Sequence, residues 1–161
     1  MATLESKNVL IEITPCTRRS IWIETQVSIT YLVPSVTPVT FTVSPENLYV
    51  STDDVDWMFN KFRHYLENIP VYSPDNGFGT DEHTYWVSPT ELGFYLKLAY
   101  GEYTDETRLN GSVSVEFMLS LRGFDNAKAT DNIGCSLLLP IANVKAFMEH
   151  LETEFIEMIS D

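Results

Sequence analysis

The chain has 161 residues, and its 23 aspartates and glutamates outnumber 10 lysines and arginines to give a formal net charge of -13. It is 44% hydrophobic and 12% aromatic, which is too apolar for a disordered acidic tail, so we expect one acidic domain over 1–161. This charge disfavours DNA, RNA and anionic membranes as partners and favours cationic ones.

Alternation of apolar and polar residues predicts the strands of the first half of the chain. It is clearest over 21–33, where the odd-numbered residues from Ile21 to Val33 are mostly apolar and the even-numbered ones mostly polar. A period of two is the pattern of a strand with one buried face. The strands expected before the first helix are 9–13, 21–33 and 39–43.

Residues 51–69 predict an amphipathic helix. Their apolar residues recur at steps of three and four, which places them on one stripe. Ser51 or Thr52 can cap the first turn, where the helix dipole favours the aspartates found there. Pro70 ends the helix.

The second half predicts four strands and a second helix. Alternation recurs around Phe117 and around Leu96, and a second apolar stripe with an acidic outer face follows. The expected strands are 85–87, 92–100, 113–121 and 133–139, and the expected helix is 141–159. The order is β-β-β-α-β-β-β-β-α. We therefore predict an α+β fold, with a single twisted, mostly antiparallel sheet and both helices on one of its faces.

No pattern in the sequence indicates catalysis, a cofactor or a metal ion. A Gly-x-Ser-x-Gly motif and a phosphate-binding glycine loop are both absent. The histidines, His64, His83 and His150, are spread along the chain without metal-ligand spacing. We predict a protein that is not an enzyme and has no catalytic, cofactor-binding or metal-binding residues.

The predicted open face of the sheet carries side chains that are typical of protein interfaces. Strand alternation puts large apolar residues there among polar ones, and aromatic and methionine residues are enriched at interfaces. Acidic residues lie in the loop 101–111. The partner-binding residues that we predict are Trp22, Glu24, Tyr95, Glu116, Met118, Asp105 and Glu106. The alternative is that loops or a homodimer cover this face.

The later part of the chain has a recognisable outline. It runs from Ser88-Pro-Thr-Glu-Leu-Gly-Phe through a long strand pair to Leu138-Leu-Pro-Ile and a helix that contains Phe147-Met-Glu-His-Leu. In outline and charge it resembles the small acidic immunity proteins of bacterial polymorphic toxin systems. The resemblance implies a cytoplasmic α+β protein that blocks a cationic toxin nuclease, and it carries no site residue.

The function that we expect is that of a non-enzymatic acidic protein that neutralises a basic protein partner, such as an immunity protein with its toxin. One alternative is a homo-oligomeric structural or assembly subunit that uses the open sheet face. Another is a small-molecule-binding or catalytic domain with a pocket under loop 70–83. The first residues lack a basic segment followed by an apolar run, so we expect no secretory signal, no membrane association and a cytoplasmic location.

Overall fold

Each half of the chain forms an antiparallel meander of strands that ends in a helix. The computed structural model describes residues 1–34, 36–71, 85–87, 93–120 and 132–160. The first half contains β1 (Ala2–Glu5), β2 (Val9–Arg19), β3 (Trp22–Tyr31), β4 (Val39–Val43), a short 3-10 turn at Pro45–Asn47, β5 (Tyr49–Ser51) and helix α1 (Thr52–Asn68). The second half contains β6 (Tyr85–Val87), β7 (Phe94–Tyr103), β8 (Gly111–Ser120), β9 (Asn132–Pro140) and helix α2 (Ile141–Ser160).

The strands pair in two hydrogen-bonded groups. The first sheet has the order β1-β2-β3-β4, and β5 pairs with β3 beside the segment that pairs with β4. The second sheet has the order β6-β7-β8-β9, and the strand ladders of both sheets are antiparallel. The predicted α+β class, with two helices and mostly antiparallel strands, is confirmed. The strands that the sequence predicts as one sheet form these two hydrogen-bonded sheets, which share one hydrophobic core.

The core lies between the inner faces of the sheets and the two helices. Ile29 of the first sheet and Phe117 of the second are fully buried in the same hydrophobic cluster as the stripes of α1 and α2. The helices also contact each other, since the rings of Phe59 and Phe155 lie 6.4 Å apart. The Tyr31 hydroxyl donates a hydrogen bond of 2.7 Å to the Gly134 carbonyl, which joins β3 to β9.

Helix α1 begins as the sequence predicts. Ser51 is the N-cap, and its hydroxyl accepts a hydrogen bond of 3.0 Å from the Asp54 amide. The Asp54 carboxylate accepts in return from the Ser51 amide at 3.3 Å. This capping box satisfies two backbone donors that the first turn of a helix leaves free. The helix ends at Asn68, since Pro70 keeps Ile69 in an extended conformation.

Short strands and strand ends differ from the prediction. β1 and β5 have only four and three residues and were not predicted, since so few positions show little alternation. Ile21 and Val33 are exposed, although they continue the alternation of β3. Among the described strands, β3 is paired only over Trp22–Tyr31, so Ile21 and Val33 lie beyond its ladder.

Candidate functional site

The outer face of the second sheet brings together the largest group of predicted site residues. Residues that lie directly opposite each other on paired strands share one face of a sheet. Trp86 of β6 pairs with Lys97 of β7, which pairs with Glu116 of β8. In the next row, Tyr95 pairs with Met118. We call Trp86, Tyr95, Lys97 and Glu116 the aromatic–carboxylate cluster.

Direct contacts hold this cluster together. The Tyr95 hydroxyl donates a hydrogen bond of 2.9 Å to Oε1 of Glu116, and the rings of Tyr95 and Trp86 lie 4.9 Å apart. Lys97 Nζ lies 3.6 Å from Oε2 of Glu116 and 5.3 Å from the centre of the Trp86 ring. The cluster therefore places a carboxylate, an ammonium group and two aromatic rings side by side.

The environment of Tyr95 keeps its hydroxyl in the protonated, donating form. Partial burial raises the pKa of Tyr95, and the hydrogen bond to Glu116 and its negative charge raise that pKa further. At neutral pH the hydroxyl thus remains a donor and fixes one oxygen of the Glu116 carboxylate. The other oxygen faces Lys97.

Apolar side chains extend the cluster across β8 and β9. Met118 packs directly over Gly134. A Cβ atom at that glycine would overlap the Met118 Sδ atom and the Phe117 carbonyl oxygen. Leu138 of β9 pairs with Ser114 and is 73% exposed. Trp86 is 47% exposed at the other edge of the sheet. The face thus combines exposed apolar residues with a half-exposed carboxylate.

Trp22 and Glu24 lie on β3 in the first sheet, apart from the other predicted residues. The sequence predicts that Glu24 faces solvent, but the structure buries it to 8% exposure. β2 and β5 flank it on both sides. Its carboxylate is paired with Nε of Arg19 at 2.7 Å. Trp22 is half-buried between the strands that carry Arg19 and Ser51. These contacts do not test whether either residue takes part in partner binding.

The polar face of β3 is more buried than alternation predicts. Ser28 and Thr30 are buried although they face away from the core. The Ser28 hydroxyl donates to the Glu12 carboxylate at 3.1 Å, and the Thr30 and Thr40 hydroxyls lie 2.8 Å apart. Neighbouring strands thus cover this part of the face with hydrogen-bonded side chains.

Asp105 and Glu106 are exposed in the turn between β7 and β8. The Asp105 carboxylate accepts a hydrogen bond of 2.9 Å from the Thr107 amide, which orders the turn. Arg108 donates to the Glu67 carbonyl at 3.1 Å and so ties the turn to α1. This turn lies beyond the end of β7, away from the aromatic–carboxylate cluster.

Sequence reasoning missed Trp86. It lies in the middle of a three-residue strand, which is too short for alternation to assign a face. The signal that identifies it is its pairing with Lys97, which only the strand register reveals. Lys97 adds a positive charge to a face that the sequence predicts to be acidic and apolar.

Residues 72–84 lie outside the described part of the chain, and with them most of loop 70–83 and the pocket predicted under it. A cleft of about 310 Å³ opens between β1 and α2, with Glu5, Asn143 and His150 in its wall.

Within the described ranges, no three His, Cys, Asp or Glu side chains are grouped as metal ligands, and no helix has the length and apolarity to cross a membrane.

Comparisons with known proteins give no family for this chain. No protein-family model, curated protein or solved structure matches it.

Proposed function

We propose that the protein is a non-enzymatic binding protein that neutralises a basic protein partner through the outer face of its second sheet. The observation that carries this proposal is the grouping of exposed Trp86 and Leu138 with Tyr95, Met118 and Glu116 on one face of a strongly acidic chain. An inhibitor of a basic toxin in the cytoplasm, as immunity proteins are, is the form of this function that we favour.

Charge supports a basic partner. The net charge of -13 attracts cationic proteins over long range, accelerates their encounter and repels anionic ones. Asp105 and Glu106 contribute to this field from an exposed and ordered turn. Reversing both charges, with Asp105→Lys and Glu106→Lys, is expected to slow association at low ionic strength and to leave dissociation almost unchanged.

The apolar residues of the face supply anchors. Aromatic residues carry a large share of the binding energy in protein interfaces when they become desolvated. Trp86 and Tyr95 already form an ordered pair, so little conformational entropy is lost when a partner covers them. Around Ser28, Thr30 and Thr40, the outer face of the first sheet carries hydrogen-bonded polar side chains instead.

Affinity capture from the source lysate tests this proposal. Wild-type protein is used as bait beside Trp86→Ala, and Leu109→Ala is the matched control, since Leu109 is exposed in the β7–β8 turn and lies off the face. The expected result is a captured protein with a basic isoelectric point that wild type and Leu109→Ala retain and Trp86→Ala loses. A captured protein that is acidic, or one that all three baits retain equally, would contradict the proposal.

The same face allows the alternative of a homo-oligomer. Lys97 and Glu116 carry opposite charges side by side, so two copies of the face can pair the lysine of one with the glutamate of the other across a twofold axis. Light scattering of the purified protein over a range of concentrations distinguishes the two functions. A mass that stays monomeric supports partner binding, and a dimer that Trp86→Ala dissociates supports self-assembly.

A further inference from the structure

The aromatic–carboxylate cluster already holds a cation. Lys97 Nζ lies between the Trp86 ring and the Glu116 carboxylate, within reach of both. A cation over an aromatic ring is attracted by the negative face of the ring, and a carboxylate adds an ion pair. The chain's own side chain thus occupies a position whose chemistry suits a basic group.

Lys97 fills this position loosely. Its Nζ atom lies 3.6 Å from Glu116 Oε2, which is longer than a hydrogen bond between nitrogen and oxygen. It also lies 5.3 Å from the ring centre of Trp86, whereas Lys61 lies 3.8 Å from that of Trp57 on α1. A guanidinium group matches the cluster better, since it is planar, stacks on aromatic rings and donates two parallel hydrogen bonds to a carboxylate.

We propose that the cluster is the anchor site for an arginine side chain of the basic partner, and that Lys97 is a built-in competitor which occupies this site in the free protein. This inference rests on the proposed function, because it names the chemistry by which the same face recognises its partner. Tyr95 acts as a positioning residue, since its hydroxyl holds the Glu116 carboxylate in place. Arginine binding then displaces Lys97 towards solvent.

The second lysine–tryptophan pair provides a matched control. Lys61 and Trp57 form a closer cation–ring contact, and no carboxylate among the described residues lies within 4.0 Å of Lys61. Lys97→Met and Lys61→Met remove the same charge from the chain. A general electrostatic effect therefore changes both variants equally, and only a specific site distinguishes them.

Fluorescence anisotropy of labelled hexa-arginine measures the effect at low ionic strength. Lys97→Met is expected to bind the peptide about three- to tenfold more tightly than Lys61→Met, because the competing ion pair is lost only in the former. Adding Glu116→Gln to Lys97→Met is expected to remove the gain. Labelled hexa-lysine is expected to gain less than hexa-arginine, since it cannot stack or bind in a bidentate manner. Circular dichroism shows that each variant is folded.

Equal affinities of Lys97→Met and Lys61→Met for hexa-arginine would overturn the proposal, as would equal gains for the two peptides. The peptide test is separate from the capture of a partner. If Lys97→Met gains affinity and no basic protein is captured, the arginine site stands and the proposed function is wrong. If a basic protein is captured through Trp86 and the two variants bind the peptide equally, the proposed function stands and the arginine site is wrong.

Discussion

Replacing Phe117 with alanine is expected to remove a large part of the stability of the fold. Phe117 lies in the middle of β8 and is fully buried, with Leu96 and Cys135 opposite it on the two flanking strands. Its ring stacks on that of Phe94, with the centres 6.0 Å apart and the planes at 26°. The truncation therefore leaves a cavity in the centre of the second sheet and breaks an aromatic pair.

The expected size of the loss follows from these contacts. Truncation of a buried phenylalanine to alanine costs about 3–5 kcal/mol. The ring pair with Phe94 favours the upper part of this range, since stacked rings contribute about 0.5–1.5 kcal/mol beyond their burial. For a chain of this length, a loss of about 4 kcal/mol lowers the melting temperature by about 8–16 °C.

Equilibrium unfolding in urea, followed by circular dichroism, measures this loss. The urea concentration at the unfolding midpoint is expected to fall. The dependence of the unfolding free energy on urea concentration is expected to stay the same, since the surface exposed on unfolding changes little. Leu109→Ala is the control, because Leu109 is 75% exposed and its truncation is expected to change stability by less than about 0.5 kcal/mol. A loss for Phe117→Ala as small as that of the control would refute the assignment of Phe117 to the core.

Three further predictions concern other parts of the molecule. Gly134→Ala is expected to lower the free energy of unfolding by about 1–3 kcal/mol, because the new Cβ overlaps the Phe117 carbonyl oxygen, and a melting temperature equal to that of wild type would contradict this close approach. Exposed Cys16 is expected to react with a thiol reagent at neutral pH well before Cys135, because burial raises the pKa of Cys135 to about 11, and equal rates for the two thiols would contradict the burial of Cys135. Burial raises the pKa of Tyr65 above its ordinary value, so near pH 10 only the unfolded chain releases that proton. The free energy of unfolding is therefore expected to keep its full value below about pH 10 and to fall above it. A free energy of unfolding that stays constant from neutral pH to well above pH 10 would contradict this.

Long periodic segments allowed the architecture to be predicted. The apolar residues of β7 and β8 that alternation assigned to the core, such as Leu96 and Phe117, are buried, and α1 begins at the cap that its sequence indicates. These features depend on local spacing, and burial of an apolar face is the dominant force that acts on them. Elements of three or four residues have few positions in which a period can be seen, and β1 and β5 were not predicted, although the three-residue β6 was.

The site was predicted in part, because the grouping of residues depends on strand register. Alternation assigned Tyr95, Glu116 and Met118 to the open side of the sheet, and cross-strand pairing brings them together. The same alternation assigned Trp22 to this group, but pairing between strands distant in sequence puts it in the other sheet. The burial of Glu24 follows from strands that flank β3 on both sides, which the sequence of β3 alone does not encode.

The central claim is that the outer face of the second sheet, and not that of the first, binds the basic partner. Surface plasmon resonance with the captured partner tests it directly through the dissociation rates of Trp86→Ala and Trp22→Ala. We predict that Trp86→Ala dissociates about 30-fold faster than wild type, as expected for an anchor worth about 2 kcal/mol, and that Trp22→Ala dissociates at the wild-type rate. Faster dissociation of Trp22→Ala together with a wild-type rate for Trp86→Ala would contradict the claim and move the interface to the first sheet.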